Sequence, residues 1–176
     1  MSIEPILAAI PTMDAKKRAT VRANAEAKLG HPSSGGDARR VIDALDARVE
    51  LEANALSKHV SQLPVARRVI EAFTHLPMSE TEHRITQVLI DNPGLSSEGL
   101  SQKLGWGAQS WHMHFGEMCK NREARLWPAD NAAVRNAAFF SGILAEWSED
   151  GGWKMKPDVA EAFSALGLKA KRLGPR

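Results

Sequence analysis

With 176 residues, 43% apolar and 25% charged, the chain has the composition of an ordinary globular protein, enough for one full domain or a small domain with a helical extension. A formal charge of +2 permits a nucleic-acid partner without demanding one, and the single cysteine, Cys119, excludes an intrachain disulfide and suits a reducing compartment. No apolar run approaches a membrane span, and "IEPILAAI" (residues 3–10) lacks the length and basic cluster of a signal peptide, so a cytoplasmic protein without a membrane partner is expected.

Residues 13–29 are rich in Ala, Lys and Arg, with Val21 and Leu29 as the large apolar residues of the second half. That predicts a helix with a thin buried stripe, or a mobile arm. The loop signal "HPSSGGD" (31–37) closes this first region at residue 36. Asp37 is placed to cap a helix running toward Leu63. Ile42, Val49, Leu56 and Leu63 recur every seven residues, but the second row of such a seam holds Leu45, Glu52 and His59. Residues 37–78 thus either pack within the chain or supply the helices of a homodimer. Pro64 restarts the chain, and "VARRVIEAFTHL" stays helical until Pro77.

From Ser79 the signals sharpen. "SETE" has the form of a capping box, with Glu82 reaching back to the start of a helix whose apolar face is Ile85, Val88 and Leu89. "DNPG" stops it near Asn92. A second helix follows in "LSSEGLSQKLG", capped by Ser96 or Ser97 and ended by Gly105, where a left-handed conformation costs glycine little. After the "GWG" turn comes a third helix over residues 108–121. "FFSGILAEW" (139–147) reads as a strand, "SEDGG" as a hairpin turn and "WKMKP" as a second strand. Pro157 and Asp158 open a last helix, "DVAEAFSALGL".

Through "GLSSEGLSQKLGW" and "WKMKPDVAEAFSALGL", residues 79–168 resemble a winged helix-turn-helix domain, the fold common among bacterial transcriptional regulators. The likeness is one of pattern and covers about half the chain. It implies a winged helix-turn-helix domain with a small antiparallel β-hairpin wing; with the helical N-terminal region before it and a basic tail at residues 169–176, a mainly α protein is expected. The link "REARLWPADNAAVRNAA" (122–138) is longer than the pattern allows, which leaves the first wing strand open.

The third helix also carries His112, His114 and Cys119, a set that invites a metal or catalytic reading. At 100° per residue the two histidines lie about 200° apart, and His112 and Cys119 are about 10 Å apart along one side. Neither pair converges on one ion in a regular helix. Cys119 has no base beside it in sequence, and no phosphate loop or paired catalytic motif stands elsewhere. No catalytic residue, metal ligand or cofactor is assigned, and a non-enzyme is expected.

The same geometry turns Trp111, Phe115 and Met118 inward. The opposite face presents Gln109, Met113, Glu117 and Lys120, with Ser110 beside them and His112 at a flank. The resemblance implies that double-stranded DNA meets this face: Gln109 and Ser110 at base edges, Met113 at a thymine methyl, His112 and Lys120 at the backbone. In the wing, Lys154 and Lys156 share one side and would meet phosphates, or would keep an edge strand from pairing with another chain. Against this, residues 79–168 hold eight basic and twelve acidic residues, with Glu117 on the expected face and Glu149 and Asp150 at the wing tip. The alternative is a protein-interaction module docking through Trp106, Met113 and Trp127.

Overall fold

A computed structural model describes residues 3–128, 139–148 and 151–171. Two compact units emerge, Met1–Leu56 and Ser57–Arg176, so the division falls inside one long helix. The divisions expected from loop composition lie at residues 36 and 78 instead.

In the first unit, α1 (Glu4–Ala9) runs into a single 3-10 turn (Ile10–Thr12), followed by α2 (Ala15–Glu26) and by α3 (Gly35–Ser61) as far as Leu56. Asp14 caps α2, its Oδ1 accepting from the Lys17 amide at 2.8 Å. The apolar stripe of α2 is as thin as its composition predicts: Ala25 is buried and Val21 only partly so. The cluster it joins is small, formed by Ile10, Ala38, Val41, Ile42 and Leu45. Arginines supplement it. Arg18 pairs with Glu52 at 2.8 Å, Arg48 reaches the same carboxylate at 2.8 Å, and Arg22 pairs with Asp46. Asp37 sits in the first turn of α3 rather than at its cap, because the helix already begins at Gly35. Of the seven-residue series, Ile42 is buried while Val49 is 56% exposed.

The second unit is built from α4 (Val65–His75), α5 (Glu80–Asp91), α6 (Ser97–Lys103), α7 (Ser110–Lys120), the short α8 (Glu123–Leu126) and α9 (Ser141–Leu144), strands β1 (Ala145–Trp147) and β2 (Trp153–Met155), and α10 (Pro157–Ala165). It is mainly helical with a small two-stranded antiparallel sheet, and Trp147 stands opposite Trp153. Helix α4 belongs here because its buried face, Val69, Ala72 and Phe73, packs against α10; Phe73 and Phe163 meet edge to face at 4.9 Å. The expected strand over 139–147 is mostly not a strand. Its middle forms the helical turn α9, whose Ile143 and Leu144 enter the core, and only Ala145–Trp147 pairs. Residues 129–138, most of the long link, lie outside the described residues.

The capping box forms as its spacing predicts. Ser79 Oγ accepts from the Glu82 amide at 3.2 Å, and the Ser79 amide donates to Glu82 Oε2 at 2.8 Å. Glu82 does more than cap. Its carboxylate takes two hydrogen bonds from Arg122, at 2.8 and 3.0 Å, and Arg122 is only 4% exposed. The guanidinium also donates to the carbonyls of Leu76, Pro77 and Met118 and lies 4.4 Å from the centre of the Phe73 ring. A buried charge is tolerable only when its donors are satisfied in this way. Among the described residues, no helix is long and apolar enough to cross a membrane.

Candidate functional site

Helices α6 and α7 are locked at their near ends by one buried hydroxyl. Ser101 Oγ donates to the Ser97 carbonyl at 2.8 Å and accepts from the Trp111 amide at 3.0 Å. Between them Gly105, at φ +75°, ends α6 in the left-handed region. Ser96 is the residue that caps α6, its Oγ accepting from the Gly99 amide at 3.1 Å.

The inward face of α7 is the one that helical periodicity predicts. Trp111, Phe115, Met118 and Cys119 are all buried, Trp111 stacks on Phe115 at 4.8 Å, and the Trp111 indole N–H donates to the Ile85 carbonyl at 2.9 Å. Burial with no compensating cation strong enough to offset it pushes the Cys119 thiol far above its ordinary range, so the group stays neutral. Among the described residues, no three His, Cys, Asp or Glu side chains come together in a way that could hold a metal ion.

The residues assigned to a binding face divide by exposure. Gln109, Met113, Glu117 and Lys120 are all exposed, Met113 by 74%. Ser110 is half-buried, and its hydroxyl donates to the Gly107 carbonyl at 2.6 Å. His112 is also half-buried, with its ring 5.2 Å from that of Trp153. His114 is exposed and lies 4.9 Å from the Trp106 ring. Of the aromatics named for a docking surface, Trp127 is 39% exposed and Trp106 half-buried.

Trp153 sets the place of the hairpin. Its ring lies among Trp111, His112, Phe139 and Trp147, at centroid distances of 6.0, 5.2, 6.0 and 5.2 Å, and its indole N–H donates to Ser97 Oγ at 2.9 Å. Its backbone exchanges bonds with the loop before α6: Gly94 donates to the Trp153 carbonyl and the Trp153 amide to the Leu95 carbonyl, each at 2.8 Å. The approach is so close that a Cβ on Gly152 would lie 1.8 Å from the Gly94 oxygen, which leaves glycine alone at that position. Period-two alternation then places Trp153 and Met155 on the core side. Lys154 and Lys156 are both half-buried, Lys154 standing opposite Glu146 in the ladder. Glu149, Asp150 and tail residues 172–176 lie outside the described residues.

Two features escape sequence reasoning. Arg122, one of eight basic residues counted toward a phosphate-binding surface, is withdrawn into the core by Glu82. Trp153, read only as the inward side of a strand, is the hub that joins the hairpin to α7; a tryptophan on each hairpin strand was the signal for it. The chain matches no family model, no curated protein and no solved structure among those compared.

Proposed function

We propose that the second unit is a winged helix-turn-helix DNA-binding module of a regulatory protein, with α7 reading the major groove and the β1–β2 hairpin resting on the backbone. The observation that carries this reading is the packing of Trp153 on Trp111 and His112, which ties the hairpin to α7 as one surface. On that surface the exposed Gln109 and Met113 have chemistry suited to an adenine edge and a thymine methyl, and Lys120, Lys154 and Lys156 to phosphates. The fold resemblance supports the reading by analogy, and the side chains supply its chemistry.

A second reading has its own observation. Met113 and Trp147 are 74% and 55% exposed on a unit that also carries Glu98 and Glu117 on α6 and α7, a mixture that suits a protein partner better than a phosphate backbone. Fluorescence anisotropy of a labelled mixed-sequence duplex separates the two. The DNA reading expects binding at low salt that weakens steeply as salt rises, with a slope of about −0.9 per phosphate neutralised. No association up to about 100 µM protein at low salt, where non-specific binders already associate, overturns it in favour of a protein partner.

A further inference from the structure

Between the hairpin and the first turns of α6 and α7 lies an open cleft of about 300 Å³, at the small end of ligand pockets. Trp147, Trp153, His112, Gln109 and Glu98 line it, with Ser96 and Ser97 along one side. We propose that this cleft binds an organic cation, an alkylammonium or guanidinium group, with the exposed Trp147 indole, braced by Trp153, as its aromatic wall and Glu98 as its counter-charge.

Three observations converge on that chemistry. The indoles of Trp147 and Trp153 meet edge to face at 81° with centroids 5.2 Å apart; Trp153 is 6% exposed, so Trp147 supplies the open electron-rich ring, the surface that attracts cations. The brace behind Trp147 is fixed: Ser97 accepts from the Trp153 indole N–H at 2.9 Å, and Trp111, His112 and Phe139 surround the Trp153 ring. Trp147 is 55% exposed, a large apolar area at the cleft that a guest would cover. The charged side chain of the lining is a carboxylate, Glu98, and among the described residues no lysine or arginine lines the cleft. The amide of Gly99 at the start of α6 is already taken by Ser96, and the Gln109 side chain adds a carbonyl acceptor for an N–H donor. An anion is disfavoured by Glu98, and a neutral guest gains no charge pairing from it.

The proposal stands on the cleft alone and does not rest on DNA binding. Isothermal titration calorimetry of the full chain tests it with three probes: choline, a capped arginine peptide, and 3,3-dimethyl-1-butanol as the neutral isostere of choline. Saturable binding of either cation is expected, with the isostere weaker by about tenfold. The tighter of the two cations distinguishes a free quaternary ammonium from a side chain of a partner protein. Trp147→Ala should weaken binding by about tenfold or more, and Glu98→Gln by severalfold. A melting curve checks that each variant is folded. Equal binding of the isostere, saturation by neither cation, or native affinity in folded Trp147→Ala and Glu98→Gln would each overturn the proposal.

Discussion

The two units solve the same problem with different materials. In Met1–Leu56 the buried cluster is mostly Ala, Val and Ile, and arginine–carboxylate pairs at the surface join α2 to α3. In Ser57–Arg176 the core holds Trp111, Phe115, Phe163 and Phe73, and a bidentate ion pair joins the buried Arg122 to the half-buried Glu82 at its edge. Exposed pairs contribute little and weaken with salt, whereas a pair with a buried partner is costly to break because a buried group left alone has little solvent to replace its partner. The second unit therefore has the larger, aromatic core, and it carries the surface on which a function is proposed.

The largest effect should come from breaking the buried pair. Arg122→Ala takes the donor from the half-buried Glu82 carboxylate and from the carbonyls of Leu76, Pro77 and Met118, and should cost about 2–3 kcal/mol. Urea unfolding followed by tryptophan emission reads this unit alone, because all five tryptophans, from Trp106 to Trp153, lie within it. A loss below about 1 kcal/mol would mean the pair behaves like an exposed one.

Acid should act at the same place. Burial by itself raises the Glu82 carboxyl, but the hydrogen bonds from Arg122, then the Ser79 amide and the nearby positive charge, outweigh it and hold the group below its ordinary 4.5. A carboxyl lowered on folding contributes stability that is present above the ordinary value and is lost as pH falls through the lower folded one. The tryptophan-monitored transition should thus weaken as pH drops below 4.5, and Glu82→Gln should flatten that dependence. An unchanged acid profile in Glu82→Gln would assign the loss to other carboxylates.

The first unit should answer differently. Glu52→Gln removes the negative charge that Arg18 and Arg48 share, and its effect on helical circular dichroism should be small and should shrink further as salt rises. A large, salt-insensitive loss there would erase the contrast between the units. Smallest of all is Met113→Ala, which should leave stability within about 0.5 kcal/mol while weakening association at the α7 face. A destabilised variant would show that Met113 is not the surface residue its 74% exposure describes.

Local signals were legible in the sequence, and distant ones were not. The capping box at Ser79 and the buried arc of Trp111, Phe115 and Met118 depend on spacings of three and four residues, which helix geometry fixes directly. Arg122 could not be read as buried, because Leu76, Pro77 and Glu82 come to it from forty or more positions away. Residues 139–144 misled for another reason: their aromatic and branched content suits a strand, but long-range packing of Ile143 and Leu144 decides for a helical turn. Seven-residue spacing in α3 likewise said nothing of burial, since Ile42 is inside and Val49 outside. Of the candidate site, the face of α7 was foreseeable from periodicity. The cleft beside it was not, because Glu98, Gln109 and Trp147 meet only through the fold.

The most direct test of the DNA reading compares the salt dependence of duplex binding for the native chain and for the Lys154→Ala, Lys156→Ala double variant. If the hairpin and α7 bind as one surface, the variant binds more weakly and its log affinity falls less steeply with log salt, by about 0.9 for each phosphate that the missing lysines would have neutralised. Identical affinity and slope for the two proteins would contradict it, and would remove the hairpin from the interface.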